Sequence, residues 1–368
     1  MEKLLRILIA IILTFSLEGC KRGENVISRS VSDNSFDYAE GEKLAGQYID
    51  FLSQGDFESL ARISSKDLNE KNRELVRKGN PIISYKKRDS RETGKSILYT
   101  YRVNKCSTNA PKGSLDNYSI EIQKNVKGGY EVARAEASTE LEVFTRDSSL
   151  RIKYKDDVRS YLLMRTSNFP GEIYPKVNKA PIFKESIDPK EFGIISISYE
   201  GKKVAVTGVD GTKTILAIIE IDEEEKKKSL GESNAGAGTA ASTSTSTATG
   251  TAGIIENPIG KKIVSLDIYS GKRVESMIFG KDEENIIVQY SEDNDRKGIN
   301  IYKVNTGDLA DVKLEDNFPK DKYQLIIKGI DEYSLYFTVK PLAGAQNIRQ
   351  DVAGEYSVNL KDLKITKM

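Results

Sequence analysis

Ile194-Ile195-Ser196-Ile197-Ser198-Tyr199-Glu200-Gly201-Lys202-Lys203-Val204-Ala205-Val206, then Asp210-Gly211, then Ile215-Leu216-Ala217-Ile218-Ile219-Glu220-Ile221-Asp222, reads as strand, turn, strand, turn, strand. β-Branched residues suit a pleated surface, and glycine beside acidic or polar residues marks tight reversals. The same grammar returns in Met277-Ile278-Phe279, Asp282-Glu283-Glu284-Asn285-Ile286-Ile287-Val288, Asp293-Asn294-Asp295 and Gly298-Ile299-Asn300-Ile301-Tyr302. A third copy runs through Leu325-Ile326-Ile327, Asp331-Glu332-Tyr333-Ser334-Leu335-Tyr336-Phe337 and, after a loop, Glu355-Tyr356-Ser357-Val358-Asn359-Leu360. An approximate repeat of this kind implies like units stacked on one another.

Tyr269-Ser270-Gly271-Lys272 and Asn305-Thr306-Gly307-Asp308 supply closing turns between copies. Together with Tyr199-Glu200-Gly201-Lys202-Lys203, these turns resemble the blades of TolB-type β-propellers, in which a Ser-Pro-Asp-Gly-Lys turn precedes an apolar strand and an Asp-x-x-Thr-Gly turn closes the blade. The resemblance implies an all-β domain of propeller-like or sandwich-like antiparallel meanders over residues 182–368. A closed propeller has at least four blades, and three copies are legible with at most a fourth from the preceding segment. The alternatives are a short propeller, an incomplete one whose edge is covered by the N-terminal domain or a partner, and a β-sandwich; an uncovered edge would invite aggregation.

Residues 229–258 interrupt the first copy with Ser, Thr, Ala and Gly lacking any apolar periodicity. Such a segment buries too little surface to offset the entropy of ordering, so it is expected to be a disordered insertion within one blade.

Toward the N-terminus the period changes. Leu44, Tyr48, Phe51 and Leu52 recur at helical spacing, Gly55-Asp56 breaks the helix, and Phe57, Leu60 and Ile63 continue a second amphipathic segment. A third short helix is expected from Leu68 to Leu75, ended by Gly79-Asn80-Pro81. Strands are expected at Ile82–Tyr85, Ile97–Val103, Tyr118–Val126 and Tyr130–Ala135, with Lys127-Gly128-Gly129 as a hairpin turn. This is an α+β N-terminal domain, helices plus a curved antiparallel sheet, over residues 39–140. The helix, Gly-Asp break and helix in Tyr48-Ile49-Asp50-Phe51-Leu52-Ser53-Gln54-Gly55-Asp56-Phe57-Glu58-Ser59-Leu60, with the strand entry Gly129-Tyr130-Glu131-Val132, resemble the nuclear transport factor 2-like superfamily. That resemblance implies a cone-shaped domain. Enzymes of the superfamily usually place a His or Asp in the cone, and this chain contains no histidine, so the non-enzymatic branch is implied. Residues 141–181 form a bridge with strands expected at Leu141–Thr145, Leu150–Tyr154 and Tyr161–Arg165.

At the extreme N-terminus, Lys3 and Arg6 precede an apolar run from Ile7 to Leu17. The run is too short to cross a hydrocarbon core of about 30 Å as a helix. It reads as a signal peptide, residues 1–19. Leu17-Glu18-Gly19-Cys20 resembles the lipobox of bacterial lipoproteins, with Glu18 departing from the usual small or apolar residue. The resemblance implies that Cys20 receives diacylglycerol, that residues 20–38 are a lipidated tether, and that the protein is lipid-anchored at the extracytoplasmic face of the cell membrane. Stable anchoring takes more than one acyl chain, which this modification supplies. With Cys20 acylated, Cys106 has no disulfide partner and is expected to be a small packed residue.

Composition narrows the chemistry. Fifty-six Lys and Arg against 55 Asp and Glu leave a net charge of +1, with no basic footprint for nucleic acid. The absence of histidine removes Ser-His-Asp and Cys-His machinery and His-ligated metals, so no cofactor or metal is expected. Asp293-Asn294-Asp295 starts like a calcium loop, but Lys297 and Val304 stand where that loop needs an oxygen ligand and a glutamate, leaving a hairpin turn. The chain has 18 Tyr, of which Tyr199, Tyr269, Tyr290 and Tyr302 fall near turns or strand ends and are the candidates for a binding face. The function expected is a non-catalytic binding or assembly module of the cell envelope, contacting protein, peptide or glycan. The alternative is a carboxylate-dependent envelope hydrolase such as a glycosidase, which would show two acids converging in a deep pocket.

Overall fold

Strand boundaries in this chain follow from which faces are buried. The computed structural model describes residues 36–77, 81–107, 109–176, 183–231, 256–292 and 295–368. Cys20, Asp293, Asn294 and most of the Ser/Thr/Ala/Gly insertion lie outside the described residues.

Three helices open the described chain: α1 (Tyr38–Gln54), α2 (Phe57–Ile63) and α3 (Lys66–Arg77). Ala45, Tyr48, Ile49 and Leu52 make one buried stripe on α1, three to four residues apart as a core-facing helix requires. Gly55 ends the helix at φ +67°, a left-handed conformation that costs glycine nothing, and the Asp56 N–H donates to the Phe51 carbonyl (3.0 Å). Asp56 then caps α2 by accepting from the Ser59 N–H at 3.0 Å. Tyr48 ties α1 to α3 by donating to Asn72.

A six-stranded antiparallel meander follows, comprising β1 (Ile82–Thr93), β2 (Ser96–Cys106), β3 (Lys112–Lys124), β4 (Tyr130–Arg146), β5 (Ser149–Tyr154) and β6 (Ser160–Arg165). The strands expected at Leu141–Thr145, Leu150–Tyr154 and Tyr161–Arg165 all belong to this sheet, the first as the far end of β4. β1 and β4 run well past the expected ends because charged residues on their exposed stretches hid the two-residue period. Asn125 fixes the β3–β4 turn by accepting from the N–H groups of Lys127 (2.9 Å) and Gly129 (3.1 Å). Cys106 is buried at the end of β2, and burial pushes its thiol up.

After a two-stranded ribbon, β7 (Glu172–Ile173) with β8 (Glu185–Ser186), come three more antiparallel meanders. They are β9 (Glu191–Ile197), β10 (Lys203–Asp210), β11 (Lys213–Ile221) and β12 (Gly260–Ser270); β13 (Arg273–Phe279), β14 (Asn285–Glu292) and β15 (Arg296–Lys303); and β16 (Tyr323–Ile330), β17 (Ser334–Pro341), β18 (Gly354–Asn359) and β19 (Ile365–Lys367). Each matches one copy of the sequence repeat. β12 pairs with β11, so the insertion leaves and re-enters within one sheet. The run of acidic and then basic residues from Glu223 forms α4 (Glu223–Gly231), capped by Asp222 accepting from the Glu224 N–H at 2.9 Å. On re-entry, Glu256 is gripped by both guanidinium nitrogens of Arg151 (2.8 and 2.9 Å) and by the Leu162 N–H at the free edge of β6.

The cores explain the continuous apolar runs. Ile215, Ala217 and Ile219 of β11 pack with Leu115, Val143 and Ile152 of the first sheet, while Leu216 and Ile218 turn to Met277, Phe279 and Val288 of the third. β14 repeats the division: Ile286 and Val288 face β9–β12, and Ile287 faces Leu325 and Phe337 of the last sheet. A strand buried on both faces loses the polar alternation of a half-buried one. The first and last sheets do alternate, with Tyr118, Ile120 and Ile122 buried and Ser119 and Glu121 half-exposed on β3, and Leu335 and Phe337 buried and Tyr336 half-exposed on β17. The architecture is thus mostly antiparallel β, with four curled meanders stacked in a propeller-like succession, and residues Glu40–Met368 form one compact unit.

Buried amides join successive sheets. Asn104 of β2 donates to Ser196 Oγ (3.0 Å) and to the Ile197 carbonyl on the edge of β9. Gln289 of β14 donates to the Leu325 carbonyl (3.0 Å) and accepts from the Ile327 N–H (2.9 Å) on the edge of β16, and Asn285 donates to the Leu360 carbonyl at 3.1 Å. These contacts satisfy edge backbone groups that would otherwise be buried without partners. Gly113 of β3 permits the close approach of β9, since a Cβ there would stand 2.9 Å from the Ile195 carbonyl oxygen.

Candidate functional site

β1, β13 and β16 each pair with a strand on one side only, and their other edges border one cleft, Gln289 already holding the Leu325 carbonyl and the Ile327 N–H on that of β16. The cleft has two lobes that share Ser53, Ile82, Ile83, Ile278, Lys328 and Gly329. The larger, about 660 Å³, runs along β13 and β16 and reaches Gln289 and Lys297. There Glu275 accepts from Lys297 Nζ at 2.9 Å, and Arg273 holds Asp295 at 3.0 Å.

The smaller lobe, about 440 Å³, lies among α1, β1 and the turns flanking β13 and β16. It carries the more concentrated chemistry. Asp50 sits on the flank of the buried stripe of α1, and its Oδ1 accepts from the Tyr85 hydroxyl of β1 at 2.9 Å. Burial raises the Asp50 carboxyl above the usual carboxylate range, against the opposing pull of the Tyr85 hydrogen bond and of Lys281. The Lys281 ammonium lies over the Tyr85 ring, 5.2 Å from its centroid. Burial pushes Lys281 down, opposed by the nearby charges of Glu332, Asp331 and Asp50. On the far wall Asp331 accepts from the Tyr336 hydroxyl (2.6 Å) and from the N–H groups of Tyr333 (2.9 Å) and Ser334 (2.7 Å). Burial alone would raise the Asp331 carboxyl, but these bonds outweigh it and hold the group below the usual range.

The four tyrosines singled out from the sequence are elsewhere, and the expected binding face is not at the surface. Tyr199, Tyr269 and Tyr302 are at most 1% exposed and Tyr290 is 4% exposed, all in the core shared by the second and third sheets. They fall at strand ends, as expected, but those ends are covered by the neighbouring sheet. Tyr302 donates to Asp267 Oδ2 (2.9 Å), shares a 2.9 Å hydrogen bond with the Tyr269 hydroxyl, and Asn300 donates to Tyr269 at 2.7 Å. Asp267 Oδ1 accepts from the Lys176 and Ile268 N–H groups, each at 2.9 Å. Tyr269 and Tyr302 therefore belong to a polar network inside the core, in which both of their hydroxyls are bonded. Burial, the largest cause, pushes both of their hydroxyls well above the ordinary tyrosine range.

Asp50, Tyr85 and Lys281 were not singled out from the sequence. Asp50 stood in a quoted helix as an ordinary polar-face residue, and Lys281 began a turn between two strands; no spacing links them. Among the described residues no helix is long and apolar enough to cross a membrane, and no group of three or more His, Cys, Asp or Glu side chains is placed to hold a metal ion.

No family model and no curated protein sequence matches the chain. Among solved structures, similarity is found to the β-propeller domain of the Trilobed protease from Pyrococcus furiosus, with 12% identity, 77% of this chain and 72% of that chain covered, and a TM-score of 0.29. Oligopeptidase B from Trypanosoma brucei overlaps at 10% identity, 95% of this chain, 50% of that one and a TM-score of 0.29. A prolyl endopeptidase structure overlaps at 11% identity, 89% of this chain, 52% of that one and a TM-score of 0.24. The chain thus spans about half the length of those two peptidases. Scores this low establish neither a shared fold nor shared chemistry.

Proposed function

We propose that this chain is a lipid-anchored protein of the cell envelope, held at the extracytoplasmic face through Cys20, that binds an extended peptide segment of an envelope partner in the cleft bordered by β1, β13 and β16 without catalysing a reaction. In this reading α1–α3 and the first sheet form a cone-shaped domain like that of the nuclear transport factor 2-like superfamily, set against three propeller-like sheets. The observation that carries the reading is the convergence of three one-sided strand edges on a cleft that also offers aliphatic walls and charges of both signs. Free edges supply main-chain hydrogen bonds to an extended chain, and adjacent side-chain pockets supply selectivity.

A photo-crosslinking residue at Ile83, compared with one at Val126 in the exposed β3–β4 turn, tests the cleft in native envelopes. The expected result is a discrete adduct from position 83 only. Equal labelling from both positions, or none from 83, would overturn the cleft assignment. For the anchor, a Cys20→Ser chain is expected to leave the membrane fraction.

One arrangement favours a second reading, a carboxylate-dependent hydrolase: Asp50 and Asp331 line the same lobe with their acidities driven apart, one raised and one lowered, as an acid and base pair requires. It ranks second because both Asp331 oxygens are already engaged by the turn they cap. An Asp331→Asn variant that abolished turnover of an envelope glycan while leaving the fold intact would promote it.

A further inference from the structure

Asp50 and Lys281 face the same lobe without closing on each other. Asp50 Oδ1 is engaged by Tyr85, whereas Oδ2 has no hydrogen-bond partner among the described residues. Lys281 makes no ion pair among the described residues; its ammonium rests on the face of the Tyr85 ring. Opposite charges in a half-buried site ordinarily collapse together, because their attraction strengthens as water is excluded. Here Tyr85 stands between them, donating from its hydroxyl to the acid and offering its ring to the base. The acid on the opposite wall, Asp331, is capped by three donors and is not left to neutralise Lys281 by contact. Four isoleucines, Ile82, Ile83, Ile278 and Ile330, give the lining an aliphatic part, beside the polar Ser53, Gln54, Ser84 and Lys328.

We propose that this corner is a binding site for an aliphatic zwitterion of amino-acid type, its ammonium on Asp50, its carboxylate on Lys281 and its side chain against the four isoleucines. Such a ligand matches the uncommitted oxygen of Asp50, the Lys281 ammonium, with the positive charge of Lys328 on the same lining, and the isoleucines beside them. The volume of about 440 Å³ admits a single amino acid or a dipeptide, which share this chemistry. The proposal rests on the cleft being the binding region, and names what its smaller lobe selects.

Titration calorimetry on the full-length chain in detergent would use L-leucine and L-leucyl-L-alanine, with 4-methylpentanoate and 3-methylbutylamine as ligands carrying only one of the two charges. At least one zwitterion is expected to bind at least tenfold more tightly than either single-charge compound. Asp50→Asn and Lys281→Gln are each expected to weaken it at least tenfold, with melting curves confirming that the variants fold. Preference for leucine over the dipeptide would assign the site to free amino acids, and the reverse to peptide ends. No binding of either zwitterion by the parent chain, or unchanged binding in both folded variants, would overturn the proposal. If the position-83 adduct still formed in that case, the cleft reading would stand and only the zwitterion site would fall.

Discussion

The Asn104 side-chain amide sits against the Ile197 peptide as a neighbouring strand would, donating to its carbonyl and receiving its N–H at 3.5 Å. An amide reproduces the donor and acceptor of a backbone, so one buried side chain joins the edge of β9 to the first sheet without a strand between them. Asn104→Leu keeps similar bulk and removes both functions. It is expected to destabilise the fold by about 2–3 kcal/mol, because a buried carbonyl left unpaired costs its full desolvation. Urea unfolding would show this, and a loss below about 0.5 kcal/mol would mean that the contact adds little.

Gly113 sits where β3 approaches β9. In a Gly113→Ala chain the new methyl group meets a backbone oxygen, which cannot rotate aside, so the two sheets must separate. Overpacking of this sort costs about 1–3 kcal/mol. The thermal midpoint should fall, and an Ile195→Val partner change, which trims only Cδ1 and leaves the carbonyl oxygen and Cγ2 in place, should restore little of it.

The buried tyrosines should report stability and not binding. Tyr302→Phe leaves the ring in place and removes the donor to Asp267 Oδ2, weakening the charge-assisted end of the network by about 1–3 kcal/mol. Calorimetric melting should fall, while labelling from position 83 stays at the level of the parent. A loss of labelling at unchanged stability would return Tyr302 to the list of ligand contacts.

Glu292 gives the fold a dependence on acid. Burial would raise its carboxyl, but the hydrogen bond from Arg296 and the Lys272 ammonium at 3.2 Å outweigh that and hold it below the ordinary glutamate range. Because the folded value lies below the unfolded one, the stabilisation is complete above about pH 4.3 and is lost as the pH falls through the depressed value. Glu292→Gln should therefore be less stable than the parent at pH 7, by about 1–3 kcal/mol, and the two should converge in strong acid. A gap that persists below pH 2 would show that packing, not charge, accounts for the loss.

The repeats were legible because strands and their turns are local: Asp331 with Ser334, or Asn125 with Gly129, settle a reversal within a few residues. Helix α1 was legible for the same reason, through its Gly55 stop. The site was not. Asp50 and Lys281 meet only because the last sheets come round to the first helix, and neither residue type nor spacing marks that encounter. The tyrosines misled for a related reason: a strand end is exposed in an isolated hairpin, yet Tyr269 and Tyr302 lie under an adjoining sheet that the local pattern does not announce.

Strands such as β11 and β14 present oily surface in both directions, so neither of the two inner meanders has a side it can leave in water. As the chain lengthens from its N-terminus, each must wait for its successor before its second surface is satisfied, and the last sheet, wet on one side, is where that debt ends. A chain stopped early, at any point between Lys203 and Tyr323, is left with a sticky plane the size of a whole sheet, a strong target for quality-control proteases and for other unfinished copies of itself.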